Sequence, residues 1–171
     1  MEKKDTCDTM LRVKDIVFKA HRAVLIARSS VFAAMFQHET SEKHSNIITI
    51  SDCDMMSFGE FLKFLYCGEM EELFFYNAFH LYQTSDKYDV QELKTFCVKS
   101  LADNLTKETF FDVLIIADMH GDATLLGILQ DFFNENLNDI CDSCAWESLM
   151  KSNYRLACRL LKSMPKMKIA K

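Results

Sequence analysis

The segment from His21 to Phe36, HRAVLIARSSVFAAMF, constrains the fold of this chain more than any other. It is rich in apolar residues, yet Arg28, Ser29 and Ser30 interrupt it in the middle. A serine oxygen accepts a hydrogen bond from the unpaired N–H groups in the first turn of a helix that follows it. The segment therefore predicts two short helices joined by a corner at Arg28-Ser29, with Ser29 and Ser30 capping the second helix.

The apolar residues of these two helices can be buried in either of two places. One is the core of the domain itself. The other is a contact with a second copy of the chain, because apolar surface that a small domain leaves uncovered tends to be buried by a partner. Twofold packing of identical surfaces is the commonest way to do so. The residues alone do not decide between the core and a contact with a second copy.

The order of elements along the chain predicts an α+β fold. Residues 8–20 alternate between apolar and polar around Lys14-Asp15, which is typical of two strands in a hairpin, and residues 46–52 predict a third strand. From Asp54 onward the apolar spacing is helical, with an expected helix end at Gly68 and expected helix starts at Thr106 and Asp122.

Composition narrows the class of protein. The chain has 171 residues, of which 49% are hydrophobic, and only 4 Gly and 1 Pro, which favours a compact and mostly helical protein of one domain or one and a half. A formal net charge of -5 argues against a nucleic-acid partner. No apolar run is long enough to span a membrane. With no secretory signal in view, the seven scattered cysteines predict reduced thiols and a nuclear or cytoplasmic protein.

The sequence contains no set of residues that predicts an enzyme. Cys141 and Cys144 have the spacing of half a zinc site, but no second pair lies at a suitable distance, so we interpret both as structural. Phosphate-binding loops and nucleophile motifs are absent from the sequence. We expect a non-enzymatic protein without a metal or cofactor.

Several segments, in order, resemble the BTB/POZ domain, and specifically the speckle-type POZ (MATH-BTB) family. They are FKAHRAVLIARSSVFAAMFQHE, FLKFLYCGEM, SDKYDVQELK, LIIADMHGDATLL and CAWESLM, and the resemblance runs from residue 5 to residue 164. It implies a BTB/POZ domain over residues 5–103 and a 3-box with a partial BACK segment over residues 104–164. Residues 165–171 are left as a basic tail. The family's N-terminal MATH domain is expected to be missing, since only seven residues precede Asp8.

The resemblance also implies a homodimer. In this family the two helices around the Arg-Ser corner form the dimer interface with the first strand, which assigns Val24, Leu25, Ile26 and Val31 to that interface, Leu25 and Val31 facing the partner. An acidic residue on the first strand and a basic residue after the Ala-His pair meet near it. Here those residues are Asp8 and Arg22.

A type-3 cullin is the second partner that the resemblance implies. The family's cullin-binding surface corresponds here to Phe36, Thr40, Glu42 and Tyr66, and continues onto the helices between Thr106 and Leu137. Glu42 matches the family pattern, but Thr40 stands where a large apolar residue is expected. That difference forfeits about 1–2 kcal/mol of apolar contact.

The expected function is that of a homodimeric adaptor in a cullin-RING ubiquitin ligase, recruiting proteins for ubiquitination. The alternative is a BTB dimerisation module that pairs with MATH-BTB relatives, or a scaffold that acts without a cullin.

Overall fold

The computed structural model of the chain describes residues 6–37, 47–51, 53–70 and 73–162. Three strands form a small sheet: β1 (Thr9–Val13), β2 (Ile16–Ala20) and β3 (Ile47–Ile50). The helices within these ranges are α1 (Arg22–Arg28), α2 (Ser30–Gln37), α3 (Met55–Cys67), α4 (Phe75–Lys87), α5 (Gln91–Asp103), α6 (Phe110–Met119), α7 (Ala123–Glu135), α8 (Leu137–Cys141), α9 (Cys144–Ser152) and α10 (Tyr154–Lys162). The predicted α+β class is confirmed. None of these helices is both long and apolar enough to cross a membrane.

The sheet has the strand order β2-β1-β3, with β1 antiparallel to β2 and parallel to β3. Lys14 and Asp15 form the two-residue turn of the hairpin, and Lys14 has a φ of 52°. Positive φ is usual in two-residue hairpin turns, because it matches the twist of the flanking strands. Leu11 and Val13 on β1 are fully buried, so one face of the sheet packs against the helices. The predicted hairpin and third strand are confirmed.

Helix α3 has the ends that its sequence predicts. The carboxylate of Asp54 accepts a hydrogen bond from the Ser57 N–H at 3.0 Å and caps the first turn. This bond is the main reason why the pKa of Asp54 is lowered. Gly68 ends the helix in the left-handed region, at a φ of 73°, which glycine adopts without steric cost.

Helix α7 also begins where expected, whereas α6 does not. The carboxylate of Asp122 accepts hydrogen bonds from the N–H groups of Thr124 and Leu125, at 3.1 and 3.0 Å. The expected cap at Thr106 is wrong, because α6 starts only at Phe110. Thr106 instead forms a turn in which its hydroxyl accepts a hydrogen bond from the Thr109 N–H.

The chain divides into two compact units, residues 1–101 and residues 102–171. The first unit has an aromatic core in which the Phe32 and Tyr88 rings stack at 4.6 Å and Phe61 lies 5.3 Å from Tyr88. All three side chains are almost completely buried. Tyr88 thereby ties α2 and α3 to the turn that precedes α5.

The second unit is helical throughout the part that the structure describes. Its core contains Phe133 of α7, whose ring stacks on Phe110 of α6 and Trp146 of α9 at 6.1 and 5.5 Å. Leu125, Leu129 and Phe133 are buried at four-residue spacing along α7. They form an apolar stripe along one side of the helix.

Candidate protein-interaction site

The corner between α1 and α2 is held by a buried serine. The Ser29 hydroxyl donates to the carbonyl oxygen of Tyr88 at 2.6 Å and accepts from the N–H of Phe32 at 3.2 Å. The second bond confirms that Ser29 caps the second helix. The first bond joins the corner to a residue 59 positions further along the chain.

Two solvent-facing contacts support the same corner. The Ser30 hydroxyl donates to the Asp89 carboxylate at 2.5 Å, and the Arg28 guanidinium lies 3.2 Å from the Glu92 carboxylate. The bond from Ser30, followed by one from Gln91, lowers the pKa of Asp89. These contacts join the corner to the segment from Tyr88 to Glu92 of the same chain.

The structure separates the four apolar residues predicted for the dimer interface. Val24 and Val31 are half-buried, and Ile26 is 41% exposed. Leu25 is 0% exposed within the single chain, where it belongs to the core, and its contact with a partner stays a prediction. An α-helix turns by 100° per residue, and once Leu25 points into the core its neighbours are directed to the flanks and outward.

Asp8 and Arg22 lie together, as expected, but the contact between them runs through the backbone. The Asp8 carboxylate accepts a hydrogen bond from the backbone N–H of Arg22 at 2.8 Å. Arg22 is the first residue of α1, and the N-cap residue His21 makes no side-chain cap of its own. Asp8, which directly precedes β1, therefore stabilises the start of α1. Its negative charge also interacts favourably with the positive end of the helix dipole.

The guanidinium of Arg22 lies over the ring of Phe36, 5.1 Å from its centroid. Phe36, on the last turn of α2, is half-buried. A guanidinium over an aromatic face is attracted by the ring quadrupole, which fixes the orientation of both side chains. One residue predicted for the dimer interface and one predicted for the cullin surface thus contact each other.

Tyr66, near the end of α3, is held against the start of α1. Its hydroxyl oxygen accepts a hydrogen bond from the His21 backbone N–H at 2.9 Å and lies 2.9 Å from His21 Nδ1. The hydroxyl proton is then free to donate to Nδ1, which leaves the His21 Nε2 proton for the hydroxyl of Thr6, 3.0 Å away. Tyr66 is 46% exposed, and its hydroxyl is held by the two contacts with His21.

These contacts define a surface that we call the His21 face: His21, Arg22, Phe36 and Tyr66. Phe36 and Tyr66 were predicted as binding residues on separate helices, and the adjacent residues His21 and Arg22 contact one each. Sequence reasoning missed His21 and Thr6, since no spacing pattern signals a bond between residues 45 positions apart. Thr40 and Glu42 lie outside the described residues.

Exposed apolar side chains also occur elsewhere in both units. On α6, Ile115 is 41% and Met119 is 76% exposed, one helical turn apart. At the start of α4, Phe74 is 83% and Tyr76 is 60% exposed. Exposed apolar side chains in groups indicate contact with other proteins more often than isolated ones do.

Two of the cysteines have raised pKa values. Burial raises the pKa of Cys97 to about 12, so this thiol stays protonated at neutral pH. Burial, and then the charge of Asp142, also raises the pKa of Cys141. Among the described residues, no three His, Cys, Asp or Glu side chains are grouped closely enough to hold a metal ion.

A family model for the BTB/POZ domain matches residues 1–105, and the chain belongs to the BTB/POZ family. The three-stranded sheet, the two helices at the Ser29 corner and the helices that follow it are the corresponding structure. Domains of this family are dimerisation and protein-interaction modules.

Among curated proteins, the chain is similar to mouse TD and POZ domain-containing protein 4, with 33% identity over 158 residues. The matched region is 92% of this chain and 43% of that protein, so the chain spans less than half the length of this relative. Among solved structures, it is similar to the BTB domain of zebrafish PATZ1, at 22% identity and a TM-score of 0.48. That match covers 57% of this chain and 76% of the other.

Proposed function

We propose that this chain is a homodimeric, non-enzymatic adaptor of the speckle-type POZ kind, which brings a type-3 cullin and its RING ubiquitin ligase to a recruited protein. It would act in the nucleus or cytoplasm. The observation that carries the proposal is the His21 face. The resemblance assigns Phe36 and Tyr66 to the cullin surface. Contacts with Arg22 and His21 of the same chain orient these two aromatic side chains.

Orientation before binding matters because a partner then does not have to order these side chains. Ordering a flexible side chain costs about 0.5–1.5 kcal/mol on association. Interface energy usually concentrates in a few aromatic or Arg anchors surrounded by residues that exclude water. Tyr66, Phe36 and Arg22 have that composition.

Calorimetry with a purified cullin N-terminal domain tests the proposed cullin binding. We expect Tyr66→Ala to weaken binding about tenfold or more, as expected for an anchor residue. Tyr76→Ala is the matched control, because Tyr76 is also an exposed tyrosine of the first unit but lies outside the predicted surface. Equal losses of affinity in both variants, or no binding by the wild type, would contradict the proposed cullin binding.

Sedimentation velocity tests the proposed homodimer. Ile26 and Ile115 are both 41% exposed on helices, so their substitution by aspartate costs the folded monomer about the same. We expect Ile26→Asp to convert the dimer into a folded monomer and Ile115→Asp to leave the dimer intact. A monomeric wild type at micromolar concentration would refute the dimer.

Thr40 favours the second candidate function, in which the chain dimerises with MATH-BTB relatives without binding the cullin. A threonine offers less apolar area than the residue expected in that loop. Under the adaptor proposal, Thr40→Met strengthens cullin binding and Glu42→Ala weakens it. If neither the wild type nor Thr40→Met binds while mixed-tag co-precipitation with a MATH-BTB relative succeeds, the second function replaces the first.

A further inference from the structure

Helix α10 carries a concentrated positive charge in a chain that is negative as a whole. The stretch from Lys151 to Lys162 contains four Lys and Arg residues and no Asp or Glu, against a net charge of -5 for the full sequence. Arg155, Arg159 and Lys162 are exposed and follow one another at positions i, i+4 and i+7 of the helix. That spacing places all three on one face.

The opposite face of α10 belongs to the core of the second unit. Leu156, Ala157 and Leu160 are at most 4% exposed. The helix is therefore held by its apolar side, and Arg155 and Lys162 are exposed on the basic side.

The basic face has shape as well as charge. Tyr154, Arg155, Cys158, Arg159 and Lys162 line an open cavity of about 640 Å³. Tyr154 is 62% exposed, and its interaction with Cys158 one turn later raises the pKa of Tyr154. The aromatic ring thus lines the same cavity as the cations.

Arg159 is also fixed in direction. Its guanidinium forms an ion pair with Asp118 of α6, a side chain that is only 20% exposed. A guanidinium has five N–H donors in a planar fork, which match the two oxygens of a carboxylate. Arg155 and Lys162, on either side of Arg159 along the helix, extend the cationic row.

We propose that this basic face is a docking site for an acidic peptide segment of a partner protein. Its glutamate or aspartate carboxylates would lie along Arg155, Arg159 and Lys162, and one apolar side chain would pack on the Tyr154 ring in the cavity. Charge complementarity selects an acidic occupant. An aromatic ring beside the cations favours a peptide that carries both carboxylates and an apolar group. This surface is independent of the adaptor function proposed above.

Fluorescence anisotropy with a labelled glutamate-rich peptide that contains one leucine tests the proposal on the full chain. We expect saturable binding that weakens as salt is added. Arg155→Glu/Lys162→Glu should lower the affinity at least about tenfold, since charge-assisted contacts are replaced by repulsion. Lys63→Glu/Lys99→Glu changes the net charge equally in the first unit and is the matched control; it should retain the wild-type affinity.

Tyr154→Ala keeps the charge and should lower the affinity severalfold, with circular dichroism showing that both α10 variants remain folded. Equal losses in the α10 and control variants would reduce the effect to net charge and overturn the proposal. Vesicles rich in phosphatidylserine that bind in place of the peptide would assign the face to a membrane surface. A change of sedimentation in the α10 variants without a change in peptide binding would assign it to a second copy. Either of the last two results overturns the acidic-peptide site.

Discussion

The corner between α1 and α2 and the start of α7 both depend on polar side chains but are stabilised in different ways. At the corner, the polar groups find their partners 59 to 64 positions along the chain, in Tyr88, Asp89 and Glu92. On α7, the capping carboxylate of Asp122 binds N–H groups two and three positions away. The corner is thus stabilised by tertiary contacts, whereas the start of α7 is stabilised by local ones.

This difference determines where substitutions do the most damage. Removing a local cap frays one helix end, whereas removing a corner residue disturbs two helices and the turn that precedes α5. The expected effects therefore fall from the buried residues of the corner, through the cap of α7, to the exposed charge of Asp89.

Leu25→Ala is expected to have the largest effect. The side chain is 0% exposed, so truncation loses apolar burial and leaves a cavity, at a cost of about 2–5 kcal/mol in the free energy of unfolding. Ile26→Ala, one residue further and 41% exposed, should change the stability of the monomer by within about 0.5 kcal/mol. Urea unfolding followed by circular dichroism, at concentrations where the protein is monomeric, measures both. Similar losses for the two variants would mean that α1 does not have the orientation described.

Ser29→Ala should come second. The substitution leaves the Tyr88 carbonyl and the Phe32 N–H without the hydroxyl that joins them, and an unsatisfied buried polar group costs about 1–3 kcal/mol. Ser30→Ala removes an exposed hydroxyl from the same corner and is the matched control, with an expected loss of about 0.5 kcal/mol. If the two variants are equally stable in urea, the corner is not held by its buried serine.

The same contrast explains how much of the molecule the sequence could predict. The hairpin at Lys14-Asp15, the helix end at Gly68 and the cap at Asp122 each depend on neighbours within a few positions, and all three are present. The stripe on α7 follows from four-residue spacing alone. Thr106 shows the limit of local signals, because its hydroxyl caps a turn instead of the helix.

The candidate site was less predictable because its contacts are long-range. Periodicity marks α1 as apolar but cannot decide which of Leu25 and Ile26 enters the core, a choice made by the packing of α1 on the rest of the unit. Likewise, nothing near Tyr66 in the sequence indicates that its hydroxyl binds His21. The resemblance points to Phe36 and Tyr66, but only the fold shows that the adjacent residues Arg22 and His21 contact them.

Asp122→Ala tests the local side of the comparison. Loss of an N-cap carboxylate costs about 1 kcal/mol, and the loss should be smaller in Asp122→Asn because asparagine also caps helices. Hydrogen exchange followed by NMR should show faster exchange confined to the first turn of α7 in the alanine variant. Faster exchange spread across α6 and α9 would mean that this cap is as widely coupled as the corner.

The smallest expected effect is the pH dependence of the bond between Ser30 and Asp89. Hydrogen bonds from Ser30 and then Gln91 lower the pKa of Asp89 below its ordinary value of 3.8. A lowered pKa in the folded state means that the carboxylate contributes stability above pH 3.8, and that this contribution is lost as the pH falls through the lowered pKa. Asp89→Asn keeps a side chain that tolerates the positive φ of 53° at this position but does not titrate. The wild type should therefore be slightly more stable than the variant at pH 6, and this advantage should shrink as the pH is lowered toward 3. Urea unfolding at several pH values measures the difference, and an advantage that grows on acidification would show that the Asp89 charge does not support the corner.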